Sequence, residues 1–396
     1  MRLADVIQPH DVREFLDEYW EKRPLLVRGA DADRFGGLFS LADVDHVFAT
    51  PALIHSSSVR VIRDGRGRSF DQIGLAGARG DHPTVEALLA EHRRGATIAL
   101  QAVNRIFPAL QDLCQALSAD LSATMQVNAY VTPPSSQGFD THFDTHDVFI
   151  LQIAGGKRWN VFEAPVALPV RLRAPGEASG AESATPLLDV ELRPGDVMYI
   201  PRGFPHHAVS AQATSLHLTV GVHTITWAAV LRAVLDAQSR HDPRLRASLP
   251  PGFADDEGVR QAAIARFGEL ISALADTADG AAVLDDAAEL VRRGQRVVLP
   301  GRFLDAEYAH QVSGDTRIRR RTGIDCAVNV QGDRIRLEFN GKAVTLPAFA
   351  ENEVRHLLSV EECCADELPG DVDEEGRLVL IRSLLREGLL TVSRDR

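Results

Sequence analysis

Apolar residues recur along this chain at two spacings, and each change of spacing marks an element. Val12, Phe15, Leu16 and Tyr19 lie three and four apart, the period of one helix face, and Lys22-Arg23-Pro24 ends that helix before the strand-like Leu25-Leu26-Val27. Such an entry helix is expected to pack on a sheet. The runs "TIALQAV" and "MQVNAYVT" read as strands on either side of a helix over Pro108 to Ser118. After the turn-rich "PPSSQG", the segment "DVFILQIAGGKRWNVF" predicts two strands broken at Gly155-Gly156 as in a hairpin. Ala164 to Pro186 has no period and is rich in Pro, Gly, Ala and Ser, so a long surface connection is expected there. Order resumes at "LLDVELRPGDVMYIP", where Pro194-Gly195-Asp196 signals a tight turn, and "SLHLTVGVHT" adds a further strand. About eight or more strands between residues 97 and 225, joined mostly by turns, favour a double-sheet jelly roll over a parallel α/β sheet.

Beyond Trp227 the period becomes helical in "WAAVLRAVLDAQ" and "QAAIARFGELISALADTADG". Those broad apolar faces serve either packing within the chain or a homodimer surface. The last hundred residues mix strand pieces, "RIRLEFN" and "KAVTLP", with helices near Glu351 to Leu358 and Gly376 to Glu387, a combination that resembles a winged helix. Three domains are expected: 1–225, the barrel with its helical entry; 226–295, a helical module; and 296–396, winged-helix-like.

Composition narrows the classes. With 396 residues, 45% of them hydrophobic, the chain can bury a large core and form two or three domains. Its apolar runs fall short of the roughly 18–20 residues of a membrane helix, so no membrane association is expected. Met1 to His10 lacks the apolar stretch of a secretory signal, and a cytoplasmic location is expected. Cys114, Cys326, Cys363 and Cys364 have no metal-site spacing, which fits a reducing compartment. A net charge of −12 argues against direct nucleic-acid binding, and the acidic "SVEECCADELPGDVDEE" would repel phosphate. The basic Arg317 to Arg321 reads as a solvated face or linker.

The chemistry concentrates in "DTHFDTHDVF" and "PRGFPHHA". His142 and Asp144 are two apart, so a strand would point both at the barrel interior, and His206 follows the P-G-D turn and the apolar strand "DVMYIP". Two imidazoles and a carboxylate form the facial triad suited to Fe(II), leaving positions open for a bidentate co-substrate and dioxygen. His207 is the rival for His206, and an extended segment would turn it the other way. A catalytic zinc with three protein ligands is the rival metal. Lys157 tips the balance to iron, because a buried cation beside such a centre can pair with the far carboxylate of 2-oxoglutarate.

These segments, with "YWEKRPLLVRG" and "LQAVNRIFPAL", resemble the JmjC-type cupin ribosomal oxygenases over roughly residues 10 to 230. The resemblance implies a double-stranded β-helix barrel, mixed α and β overall. It implies hydroxylation of a histidyl or arginyl residue of a ribosomal protein, with Fe(II) as cofactor and 2-oxoglutarate and dioxygen consumed. It makes His142, Asp144 and His206 the iron ligands and catalytic residues, Lys157 the partner of the co-substrate C5 carboxylate, and Asn128 a co-substrate contact. His217 and Thr219 would line the pocket. Lys at 157, where the arginyl branch generally has Arg, leans towards a histidyl target. The alternatives are an oxygenase of another peptide or a small metabolite, and a non-catalytic binding module.

Overall fold

The computed structural model describes residues 1–55, 57–68, 84–169, 185–294, 301–321, 324 and 326–393. They fall into two compact units, one formed by 1–223 with 295–396 and one by 224–294.

In the first unit, eleven described strands build two antiparallel sheets. They are β1 (Leu25–Val27), β2 (Val59–Arg63), β3 (Arg66–Arg68), β4 (Thr97–Leu100), β5 (Thr124–Thr132), β6 (Asp147–Ala154), β7 (Lys157–Val161), β8 (Leu188–Leu192), β9 (Val197–Ile200), β10 (His206–Ser210) and β11 (Ser215–His223). The large sheet runs β1-β9-β6-β11-β5-β4-β2-β3 and the small one β10-β7-β8. The expected double-sheet barrel is therefore present. One detail differs: β6 and β7 do not pair as a hairpin. β6 lies in the large sheet between β9 and β11, and β7 lies in the small sheet between β10 and β8. Gly155-Gly156 is a corner between sheets, and Gly155 makes it with φ +61°, where a Cβ would stand 2.2 Å from the Thr214 carbonyl oxygen. The Pro194-Gly195-Asp196 turn, with φ +90° at Gly195, makes the return crossing from β8 to β9.

Strand alternation gives the large sheet two different faces. Phe149 and Leu151 of β6, Tyr199 of β9 and Leu218 and Val220 of β11 face the main core, whereas Val148, Ile150, Met198 and Ile200 face Trp159, Val161 and Leu192 of the small sheet. Helices α1 (Leu3–Ile7), α2 (Val12–Glu18), α3 (Leu41–Phe48), α4 (Val85–Arg93) and α5 (Pro108–Leu121) supply the other half of the main core. α2 is the entry helix expected from the spacing. Asp11 caps it by accepting from the Arg13 and Glu14 N–H groups, and Phe15 packs on Tyr199 at 5.0 Å and Phe149 at 5.8 Å between centroids. Of the expected surface connection, residues 170–184 lie outside the described residues.

The remainder of this unit holds α9 (Arg302–Tyr308), the pair β12 (Ile318–Arg320) and β16 (Leu390–Val392), the meander β13 (Ala327–Gln331), β14 (Arg334–Phe339) and β15 (Lys342–Pro347), and helices α10 (Glu351–Ser359) and α11 (Glu374–Glu387). Ile335, Leu337, Val354, Ile381 and Leu384 give it a separate core. The basic run at 317–321 is not a uniform solvated face. Arg317 pairs with Glu362 at 3.0 Å and Glu367 at 2.7 Å, and Arg321 is buried on Asp305 at 2.5 Å.

The second unit consists of α6 (Trp227–His241), α7 (Glu257–Thr277) and α8 (Gly280–Gly294). No residue of α6 or α7 is buried, and Trp227, Leu231, Ile264, Phe267 and Ile271 stand exposed. Val230, Val234, Leu270 and Leu274 on the same helices are half-buried. No described helix is long and apolar enough to cross a membrane.

Candidate metal centre and adjoining cavity

His142 and Asp144 are not on a strand. β6 begins only at Asp147, and the chain before it is irregular apart from isolated bridges. What replaces the strand is a pairing with the segment that carries the third candidate. The His142 N–H donates to the His206 carbonyl at 3.2 Å, and the His206 N–H donates back at 2.8 Å, so the two imidazoles are direct cross-strand neighbours. Two positions on, the Gly203 N–H donates to the Asp144 carbonyl at 2.9 Å.

The three side chains converge: one ligand atom from each of His142, Asp144 and His206 lies within 4.8 Å of the others. His206 Nε2 is 3.8 Å from Asp144 Oδ2, and the two imidazole centroids are 4.6 Å apart. Each ring is oriented by the carbonyl two residues before it, with Nδ1 of His142 at 2.9 Å from Asp140 O and Nδ1 of His206 at 3.0 Å from Phe204 O. A carbonyl only accepts, so both Nδ1 atoms carry the proton and both Nε2 lone pairs are free for a metal. Burial, and next the neighbouring His142, lower the His206 imidazole to about 4, which keeps it neutral. His207 takes the opposite side of β10, where its Nδ1 meets Thr141 Oγ1 at 3.0 Å.

Behind the cluster opens a cavity of about 690 Å³, whose lining includes Arg60, Tyr130, Phe139, Lys157, Trp159 and Thr219. Lys157 opens β7 and points inward, 3% exposed, with its Nζ donating to Thr132 Oγ1 at 2.9 Å. Among the described residues no carboxylate pairs with it. Burial lowers its ammonium to about 7. His217 stacks on Tyr130 at 4.9 Å and meets the edge of Trp159 at 5.4 Å. Burial, followed by Lys157, pushes its imidazole well below the usual range, while burial and then Asp144 push the Tyr130 phenol up to about 12. His217 Nδ1 and Trp159 Nε1 are buried with no hydrogen-bond partner. A buried lysine amine without a counter-ion, next to two orphaned polar nitrogens, leaves a void suited to an acid, which would favour the protonated amine.

Thr219 and His217 line the cavity from β11. Asn128 stands differently. It shares the inward face of β5 with Tyr130, but it is not in the cavity wall: its Oδ1 accepts from the Ala102 N–H at 2.9 Å and from Gln126 Nε2 at 3.2 Å. Ala102 has φ +53°, so that oxygen is committed to fixing a left-handed turn. Sequence reasoning missed Arg60. It stands in one row across the sheet, opposite Ala99, which is opposite Tyr130, which is opposite His217. The small Ala99 leaves its guanidinium room to lie over the Phe139 ring at 5.3 Å, without an ion-pair partner among the described residues. The alternation in "VRVIR" was the available signal.

The JmjC domain family matches residues 101–230, the stretch that holds all three clustered side chains and Lys157. Residues 101–230 of this chain are a JmjC domain. The chain is related to the ribosomal oxygenases over nearly its whole length: Ribosomal oxygenase 1 of Gallus gallus is 27% identical over 98% of this chain and 71% of its own length. A bifunctional lysine-specific demethylase and histidyl-hydroxylase NO66 from Drosophila persimilis is 30% identical over 56% of this chain. Only 31% of that fly protein is covered, so the chain spans about a third of that relative's length. In fold, the JmjC chain matches the ribosomal oxygenase YcfD from Escherichia coli, solved in complex with cobalt and 2-oxoglutarate, at a TM-score of 0.52, with 18% identity over 98% of this chain and 99% of that one.

Proposed function

We propose that this chain is a non-haem Fe(II) and 2-oxoglutarate-dependent oxygenase that hydroxylates a polypeptide, with a histidyl residue of a ribosomal protein as its target. The observation that carries this reading is the ammonium of Lys157, buried without a counter-ion in the same cavity as the His142, Asp144 and His206 cluster. Zinc hydrolysis would need the cluster, but it gives that ammonium no task.

The donor set fits iron: two imidazoles that turn Nδ1 to a backbone carbonyl and leave Nε2 for a metal, and one carboxylate, a set that would leave room for co-substrate and dioxygen. Bound there, the metal would supply dioxygen activation and the transfer of one oxygen atom to carbon. The chain's own residues do the rest. Lys157 and Thr132 would hold the far carboxylate of 2-oxoglutarate, and Trp159 and His217 offer buried polar nitrogens beside it. Ile150 and Phe139 keep the wall apolar and help exclude water. Arg60 adds an exposed guanidinium, with no ion-pair partner among the described residues, to the same wall, which would disfavour an arginyl side chain more than a neutral imidazole, in line with Lys at 157.

The test is incubation with Fe(II), 2-oxoglutarate and ribosomal-protein peptides, read by mass and fragment position. A one-oxygen increment on a histidyl residue is expected. An increment on arginine alone would overturn the histidyl reading, and no succinate formed with any peptide would overturn the activity.

We also take 1–225, 226–295 and 296–396 as functional domains, the last winged-helix-like, with the middle one pairing two copies through its open helical faces. Leu231→Glu with Phe267→Glu is expected to convert a dimer to a monomer by light scattering, and a wild-type monomer would refute this.

A further inference from the structure

The candidate ligands sit on a seam. Residues 142–147 run antiparallel to 202–206, between the His142 to His206 bridge and the place where Val148 pairs with Ile200 in the β6/β9 ladder. On this seam the chain after β9 leaves the large sheet to enter β10 of the small one, so no regular ladder continues across it. Two contacts span the gap. One is the Gly203 N–H on the Asp144 carbonyl. The other is a side chain, Asp147, three residues past Asp144 and fully buried.

The Asp147 carboxylate takes the place of the missing rung. Its Oδ1 accepts the backbone N–H of Arg202 at 3.2 Å and the Tyr199 hydroxyl at 3.0 Å, and its Oδ2 accepts the Arg202 guanidinium at 2.8 Å. Arg202 lies four residues before His206 and is itself 7% exposed. Its other guanidinium nitrogen pairs with Glu21 at 2.7 Å. Glu21, in the left-handed region at φ +57°, returns its backbone N–H to the Tyr199 hydroxyl at 3.0 Å. The network closes on itself, and it ties the end of the entry helix to both ligand-bearing segments.

We propose that the Asp147–Arg202 pair, braced by Tyr199 and Glu21, is a positioning device that fixes Asp144 relative to the two imidazoles and so sets the metal affinity of the site. A carboxylate desolvated this completely holds its donors at fixed places, because any displacement would leave a buried charge unsatisfied. Neither Asp147 nor Arg202 needs to touch the metal for this role. The inference rests on the metal reading above.

The test titrates Co(II) into metal-free full-length protein, by calorimetry and by the visible bands of the bound ion, alongside thermal unfolding of each metal-free variant. Asp147→Asn is expected to weaken Co(II) binding about tenfold or more and to alter the bands at saturation. Tyr199→Phe, which removes one hydrogen bond from the same carboxylate and keeps the ring, is expected to move affinity in the same direction by less. It decides alone if Asp147→Asn does not fold. The control is Asp196→Asn. Asp196 is another buried carboxylate, held by Arg28, Gly29 and Arg193 in the turn before β9 and touching neither ligand segment. Its loss should lower the unfolding temperature and leave Co(II) affinity unchanged. Wild-type-like affinity in both seam variants overturns the positioning role, as does an equal loss in Asp196→Asn. A wild-type protein that binds no Co(II) overturns the metal reading, and this inference with it.

Discussion

His142→Ala is expected to lower affinity for Co(II) or Fe(II) by more than about a hundredfold, exceeding the 10–100-fold typical for loss of an outer-shell partner, and to abolish succinate formation from 2-oxoglutarate. The size follows from the geometry. With only three protein ligands, removal of one imidazole leaves Asp144 and His206, and no other His, Cys, Asp or Glu among the described residues joins them in a metal-binding cluster. Asp144→Ala should behave alike, since it removes the one negative charge of the set. His207→Ala is the contrast: its ring also lines the cavity but is turned to Thr141 and Phe162 and is outside the ligand cluster, so its loss should leave metal affinity within about twofold. Metal titration of the three metal-free variants checks this. Undiminished binding by His142→Ala, or a large loss in His207→Ala, would remove the assignment.

The three converging residues are legible in the sequence, but not for the reason their spacing suggests. The two-residue interval between His142 and Asp144 reads as one strand face, whereas the segment is irregular and is held by backbone pairing with 203–206. A local pattern reports which side chains share a face. It cannot report pairing between segments some sixty residues apart, and that pairing is what brings the imidazoles together here. The same limit explains the corner at Gly155-Gly156. A glycine pair between two β-rich runs permits a hairpin or a change of sheet, and the choice rests on the Thr214 carbonyl packed against Gly155. Asn128 and Arg60 illustrate the converse. Both face the barrel interior by strand alternation, but whether each side chain reaches the cavity depends on neighbours, Ala102 in one case and the small Ala99 in the other. The apolar faces of α6 and α7 were plain from periodicity, whereas their exposure was not, since helical spacing is identical for a packed face and an open one.

Binding of 2-oxoglutarate should weaken as the pH rises above about 7, the value to which burial lowers the Lys157 ammonium. The sign follows from linkage. In the free cavity the amine holds its proton only below that pH, because nothing anionic compensates for its desolvation. A bound carboxylate would favour the charged form and raise the pKa, so above pH 7 each binding event takes up a proton. Affinity then falls by up to about tenfold per pH unit until the pKa of the complex is reached, and below pH 7 this group contributes no further dependence. Calorimetry at pH 8 in buffers of different ionisation enthalpy should register uptake approaching one proton per ligand, and at pH 6 almost none. Lys157→Met retains the aliphatic bulk without the charge. It should cost roughly 10²–10³ in co-substrate affinity, the scale of leaving one member of a buried ion pair alone, and should remove both the proton uptake and the pH slope. Metal binding in that variant should persist, because Lys157 is not among the clustered ligands. A wild-type affinity that is flat from pH 6 to 8, or a Lys157→Met protein that binds 2-oxoglutarate normally, would mean that the acid is held elsewhere in the cavity.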